Sequence, residues 1–155
     1  KYWVHGLVDH QARSKQYGHK ALLIMFTGDV SRETYSQFQT ALEKALFDES
    51  IKTYRYGVGF MGTSYNTDTS DTQLRQDIIK ELNNIAYACL DAGLVFITGL
   101  KALTADELDQ IKRLSSPHDV CVIRLDDKEG VASLKALNLN TLQDDIVDKL
   151  LDYIR

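Results

Sequence analysis

This chain of 155 residues has no long apolar run, no excess of basic residues and few cysteines, and each of these features excludes a class of protein. No apolar run approaches the roughly 18 residues that a membrane-spanning helix needs, so we expect no membrane partner. Basic excess is also missing: the formal net charge is −4 at pH 7, which argues against a nucleic-acid partner, because such proteins present a basic surface to phosphates. Only two cysteines occur, Cys89 in a helical pattern and Cys121 in a strand pattern. We interpret both as buried apolar side chains in a reducing compartment, the cytoplasm.

The residues that are present suit an ordinary globular domain. They are 44% hydrophobic and 26% charged, and the length allows one domain with a real core. Residues 1–19 are polar, and we expect an extended lead-in or linker there, followed by a domain over residues 20–155. Because the chain begins with Lys1 rather than methionine, we interpret it as a C-terminal part of a longer protein.

Apolar strand patterns alternate with helical patterns along the domain. Strands are predicted at Ala21–Phe26, Ile51–Phe60, Leu94–Thr98 and Val120–Leu125. Helices are predicted over Ser31–Phe47, from Ser70 to near Gly93, from Thr104, and over Leu142–Ile154. A short helix or turn is predicted over Asp127–Leu137. Ser70 and Thr104 each begin a capping box. This alternation is typical of a three-layer α/β/α domain with a mostly parallel sheet. Ligands of such sheets bind beyond the carboxyl ends of the strands, so the loops after Phe26, Phe60 and Thr98 are the candidate sites.

The first of these loops lies between a strand and a helix, as a phosphate-binding loop does, but it lacks the second glycine and the lysine of that motif. The stretch FTGDVSRET, residues 26–34, joins strand to helix where such a loop would contain G-x-x-x-x-G-K-[ST]. Glu33 stands at the second glycine and Thr34 at the lysine. Asp29 and Glu33 put negative charge where a polyanion would lie, and two unit charges 4 Å apart interact by about 4 kcal/mol at an effective dielectric near 20. The N-terminus of the following helix still offers N–H groups, so a weak sulfate or phosphate site remains an alternative interpretation of this loop.

Nearly the whole chain resembles the adenylylsulfate (APS) kinase family, P-loop kinases that phosphorylate adenosine 5′-phosphosulfate in sulfate assimilation. The resemblance rests on FTG at 26–28, ALEKALF at 41–47, DAGLVFIT at 91–98 and IVDKLLDYIR at 146–155. A lead-in with Trp3, His5 and Gly6 is similar to the family's W-H-x-G segment, and the chain looks most like the form fused behind an ATP sulfurylase. The resemblance implies a P-loop NTPase fold, and for an active member it implies ATP and Mg²⁺ as cofactors.

The family's chemical motifs are mostly lost on this chain. Its phosphate loop falls on Gly28, Asp29, Ser31, Arg32, Glu33 and Thr34. Its D-G-D-N-V-R motif falls on residues 56–61, where only Gly57 is kept. Its D-R-x-x-N-I-R-R motif falls on residues 74–81, where Arg75 matches and Lys80 keeps a positive charge. We predict that all of these are vestigial positions, with no catalytic residue, no metal and no cofactor.

The leading hypothesis is therefore a catalytically inactive APS kinase-like domain with a structural or regulatory role in a sulfate-activating enzyme. Its expected partners are an ATP sulfurylase-type domain of the parent polypeptide, a second copy in a homodimer, and a weak nucleotide, sulfate or phosphate ligand. In fungal ATP sulfurylases a similar domain no longer phosphorylates and binds the product nucleotide as an allosteric inhibitor. The alternative is an active adenylylsulfate kinase in which Arg32 replaces the lysine. Asp29 also suggests a receiver or flavodoxin-like module. A receiver carries an aspartate at the end of its third strand, however, and this chain has none there.

A few polar residues admit plainer interpretations. Arg75 is either a vestigial APS contact or a solvated helix charge. His5, Asp9 and His10 resemble a ligand set, but a flexible lead-in is a poor place for a metal. His118 follows the single proline in a turn, and we expect it to be exposed.

Overall fold

A computed structural model describes residues 6–57, 72–125 and 146–155. Helices and strands alternate in the order α1 (His10–Tyr17), β1 (Leu22–Thr27), α2 (Arg32–Asp48), β2 (Thr53–Arg55), α3 (Thr72–Asp91), β3 (Val95–Gly99), α4 (Ala105–Ser115), β4 (Asp119–Arg124) and α5 (Val147–Ile154). The predicted alternation of strands and helices is confirmed over these ranges.

The four strands form one parallel sheet in the order β2-β3-β1-β4. Strand β1 is central, and its Ile24 lies opposite Ile97 of β3 and Cys121 of β4. All six residues of β1 are buried, as expected for an unbroken apolar run that is covered on both faces of a parallel sheet.

Two hydrophobic cores cover the two faces of this sheet. On one face, Leu22, Ile24 and Phe26 pack with residues of α2 and α5. On the other face, Leu23 and Met25 pack with residues of α3 and α4. The protein is therefore a three-layer α/β/α domain, which confirms the predicted fold class.

The N-terminal segment differs from expectation, because residues 10–17 are helical rather than extended. Asp9 begins α1 by accepting a hydrogen bond from the Ala12 N–H at 2.8 Å, and Gly18 ends it with φ 77°. The expectation of an extended lead-in is wrong for this stretch. No residue of α1 is buried, so its sequence carries no apolar periodicity that would indicate a helix.

Several predicted elements have different or undescribed boundaries. Strand β2 is confined to Thr53–Arg55, and the rest of its predicted range lies partly outside the described residues. The Ser70 cap and the short helix or turn at Asp127–Leu137 lie outside them entirely. The Thr104 capping box is confirmed: its hydroxyl accepts from the Glu107 N–H at 3.1 Å, and the Glu107 carboxylate accepts from the Thr104 N–H at 2.9 Å. Within the described ranges, no helix is long and apolar enough to cross a membrane.

Helix α1 packs closely against Gly93, which precedes β3. A Cβ atom at Gly93 would lie 2.8 Å from Cε2 of Tyr17 and 3.0 Å from Cβ of Arg13. Gly93 also has φ 84°, a conformation that side chains disfavour. The close approach of α1 to the sheet therefore depends on glycine, which has no side chain, at position 93.

The substitution Gly93→Ala should destabilise the protein more than Gly18→Ala. Both glycines have positive φ, so both substitutions carry a conformational cost of about 1–2 kcal/mol. A Cβ at Gly18 would meet nothing within 4 Å, whereas at Gly93 it would displace α1 and cost about 1–3 kcal/mol more. Equilibrium urea unfolding measures both, and equal losses would contradict the packing of α1 on Gly93.

Candidate functional site

The strand order places a switch point at the carboxyl ends of β1 and β3. These neighbouring strands lead into α2 and α4, which pack on opposite faces of the sheet. A crevice of this kind is where open α/β sheets bind their ligands. Residues 28–31 follow β1 here, and residues 100–104 follow β3.

Thr27 joins these two loops. Its hydroxyl donates to the carbonyl of Leu100 at 2.8 Å and accepts from the N–H of Leu103 at 3.3 Å. Asp29 adds an ion pair, with its carboxylate 3.6 Å from Nζ of Lys101. Asp29 is largely exposed, so this pair contributes less than about 1 kcal/mol, but it sets a cation beside the loop.

The phosphate-loop positions form a short turn and the start of α2. Helix α2 begins at Arg32, so Glu33 and Thr34 already lie in its first turn. Ser31 is the N-cap: its Oγ accepts from the Thr34 N–H at 3.2 Å and lies 2.9 Å from Oγ1 of Thr34. Two of the predicted site residues, Ser31 and Thr34, thus bond to each other and cap the helix.

Two side chains of α2 fill the space next to the ends of β1 and β3. Tyr35 is 5% exposed and donates its hydroxyl hydrogen to the carbonyl of Gly28. Gln39 is 4% exposed, and a Cβ at Gly99 would lie 2.6 Å from its Nε2. Sequence reasoning did not predict this packing for either side chain. The available signal was their spacing, since Tyr35, Gln39 and Leu42 recur on one helix face.

Arg75 belongs to a part-buried ion pair. Its Nε and Nη2 donate to the two carboxylate oxygens of Glu107 at 2.8 and 2.9 Å, and Nη2 also donates to the carbonyl of Ala102 at 3.1 Å. Arg75 is 9% exposed, so the interpretation as a solvated helix charge is wrong. The pair instead connects α3 to α4 and to the loop after β3.

The environment of Glu107 changes its acidity. Burial alone would raise the pKa of Glu107, but hydrogen bonds from Arg75 and Thr104, together with the charge of Arg75, outweigh burial and lower it. The ionised carboxylate is therefore the form that the fold stabilises.

The two remaining predicted positions lie apart. Gly57 follows Tyr56, whose N–H donates to the carbonyl of Ile97 and whose carbonyl accepts from Oγ1 of Thr98, both at 2.8 Å. Gly57 thus lies at the same carboxyl edge as the Gly28 loop. Lys80 instead lines a polar cleft of about 820 Å³ along α3, with Tyr87 and residues of α4.

Comparison with solved structures identifies the fold. A cysteine-to-alanine mutant of the Mycobacterium tuberculosis APS kinase has a TM-score of 0.67 at 15% identity, covering 86% of this chain and 98% of that one. The same enzyme in complex with AMPPNP and APS has a TM-score of 0.58 at 17% identity, covering 69% and 63%. The described structure is an α/β domain of the P-loop NTPase class, as predicted.

Curated relatives identify the family. The adenylyl-sulfate kinase of Shewanella pealeana is 30% identical over 149 residues, which cover 84% of this chain and 68% of that protein. The Staphylococcus carnosus enzyme is 26% identical over 113 residues, covering 72% and 56%. No protein-family model matches. The chain belongs to the adenylyl-sulfate kinase family and spans roughly two thirds of its Shewanella relative.

The contact between Gly99 and Gln39 predicts a coupled pair of substitutions. Gly99→Ala should destabilise the protein by about 1–3 kcal/mol, because the new methyl group would press on Gln39 Nε2 and lie 3.2 Å from the carbonyl oxygen of Phe26. Gln39→Ala in the same chain should recover part of that loss. A double-mutant cycle from urea unfolding should give a coupling of about 0.5 kcal/mol or more, and strict additivity would contradict the contact.

The Arg75–Glu107 pair predicts an acid-sensitive component of stability. Because the folded-state pKa of Glu107 is lowered, the pair's contribution is present above the unfolded-state pKa of about 4.3 and is lost as the pH falls through the folded-state pKa. Glu107→Gln should lower stability near pH 7 by about 1–3 kcal/mol, since the part-buried Arg75 guanidinium loses the charged acceptor of its two hydrogen bonds. It should also flatten the loss of stability in acid. Unfolding curves between pH 7 and pH 3 test this, and parallel profiles for both proteins would refute it.

Proposed function

We propose that this chain is an adenylyl-sulfate kinase-like domain that has lost phosphoryl transfer and has a structural or regulatory role in a sulfate-activating enzyme. The observation that carries the proposal is the packing of the buried Tyr35 and Gln39 side chains against Gly28 and Gly99, at the carboxyl ends of β1 and β3. A phosphate site needs backbone N–H groups directed into open space. The Tyr35 hydroxyl instead bonds to the Gly28 carbonyl, and this internal contact supports a loop that packs against α2 rather than around a phosphate.

The charges and hydroxyls of the loop support the same proposal. Phosphoryl transfer requires cations that neutralise the transferred group, and Thr34 stands where the family pattern has its lysine. ATP and Mg²⁺ are the cofactors that the family implies, and the donor set does not fit them. The Ser31 hydroxyl caps α2 and bonds to the Thr34 hydroxyl, and the nearby acids Asp29 and Glu33 would repel a polyanion.

Arg75 supports a loss of the family's APS contacts. Its guanidinium donates to Glu107 and to the carbonyl of Ala102, and a part-buried bidentate pair of this kind is costly to break. A weak nucleotide or sulfate ligand at the first turn of α2 belongs to the regulatory version of the proposal. Its natural partner would be an ATP sulfurylase-type domain on the same polypeptide, a second copy of the domain, or both, in the cytoplasm.

The second candidate function is an active adenylylsulfate kinase, favoured by the membership of the family. It would require a cation that replaces the lysine. Arg32, the first residue of α2, and Lys101, beside Asp29, lie at or next to the loop.

A binding and turnover experiment tests the proposal. The purified chain is titrated with MgATP, ADP and APS by calorimetry, and ADP release is followed in a coupled assay with the Shewanella pealeana enzyme as the active control. We expect no APS-dependent ADP release. Nucleotide binding without turnover would support a regulatory role, and no binding would support a structural one.

APS-dependent turnover would overturn the proposal in favour of the active kinase. Arg32→Ala and Lys101→Ala should then abolish activity, since removal of a transition-state cation costs about 10³-fold or more. Arg113→Ala, an exposed arginine of α4, is the matched control and should retain full activity.

A further inference from the structure

Three side chains with metal-binding atoms meet at the amino ends of the strands, opposite the candidate functional site. His10 begins α1, Asp91 ends α3 before β3, and His118 lies between α4 and β4. Each offers one ligand atom, and these atoms all lie within 4.8 Å of one another. The three residues are far apart in sequence, so the fold itself brings them together.

The imidazole of His118 has an unmet bonding requirement. The expectation that His118 is exposed is wrong, because the side chain is half-buried and its Nε2 is shielded from solvent with no hydrogen-bond partner in the described part of the chain. The His10 ring packs edge-on against the His118 ring, with centroids 4.8 Å apart, and Tyr87 lies at 6.1 Å. A buried ring nitrogen without a partner is unfavourable, and a metal ion would satisfy it.

Asp91 occupies a position that a cation would stabilise. As the last residue of α3 it adds negative charge to the end of the helix that already carries a partial negative charge. No basic residue lies in the last turn of α3. A bound cation would offset both charges.

We propose that His10, Asp91 and His118 bind a divalent transition-metal ion, for which Zn²⁺ fits best. Two imidazole nitrogens and one carboxylate oxygen are a donor set typical of zinc, whereas Mg²⁺ and Ca²⁺ prefer oxygen ligands throughout. Zinc bonds of about 2.0–2.2 Å require the ligand atoms to lie closer together than the 4.8 Å within which they now fall. Asp91 is exposed, so its side chain has room to do this, and water would complete the coordination.

The proposed ion would fasten α1 to the rest of the domain. Helix α1 buries none of its own residues, and one of the three ligands is its first residue. The site departs from the sequence-based expectation of no metal. It is independent of the proposed function, since phosphoryl transfer and the crevice belong to the other edge of the sheet.

Zinc binding to the full chain tests the proposal. The protein is prepared without a histidine tag, freed of metal by chelation, and titrated with ZnCl₂ by calorimetry, with Co²⁺ as a spectroscopic probe of histidine ligation. We expect one ion per chain. Loss of an outer-shell partner weakens metal sites by about 10–100-fold, so His10→Ala, His118→Ala and Asp91→Asn should each weaken binding by at least about 100-fold.

Two matched controls separate this site from adventitious binding. Asp109→Asn removes a carboxylate of α4 outside the cluster, and Cys89→Ser removes a thiol that lies two residues before Asp91. Both should retain the affinity of the unsubstituted chain. Asp91→Asn changes an exposed side chain, so the result does not depend on a variant that fails to fold.

A stability measurement gives a second readout. Zinc should raise the Tm of the unsubstituted chain and of both controls, because a ligand that binds the native state stabilises it, and at the same zinc concentration it should raise the Tm of Asp91→Asn much less. The proposal is overturned if the unsubstituted chain shows no saturable zinc binding, or if any of the three ligand variants keeps its affinity.

Discussion

The burial of β1 on both faces is the constraint on which the rest of the structure depends. Its six residues pair with β3 on one side and β4 on the other, and their side chains alternate between two separate cores. A strand so placed has no polar face, so helices must cover both sides of the sheet. The carboxyl end of β1 lies at the switch point because the chain leaves β1 and β3 for helices on opposite faces of the sheet. The location of the candidate site therefore follows from the strand order together with the burial of β1.

At that edge, polar atoms are used to hold the protein together. Thr27 ties the loop after β1 to the loop after β3, and Tyr35 closes on Gly28. Arg75 fixes the loop after β3 from α3. A nucleotide-binding edge needs unpaired N–H groups and cations, whereas these groups mostly satisfy one another. The family scaffold has therefore been kept while its polar edge bonds internally, which is the physical basis of the function that we propose.

The amino edge presents the opposite situation. There α1 approaches Gly93 closely yet contributes no buried side chain, and Nε2 of His118 is shielded from solvent with no partner among the described residues. This nitrogen lies beside His10 and Asp91, where we propose the zinc site.

The order and type of the elements were determined by the sequence alone, because apolar periodicity and capping residues are local signals. The apolar runs predicted β1, β3 and β4, Thr104 and Glu107 predicted the start of α4, and the missing lysine at Thr34 was visible without coordinates. Helix α1 was not predicted, because it buries none of its residues and its sequence therefore has no apolar periodicity. The tertiary structure alone decided which distant side chains meet: Tyr35 with Gly28, Arg75 with Glu107, and His10 with Asp91 and His118. These contacts depend on strand order and helix packing, which cannot be predicted from a local pattern of residues.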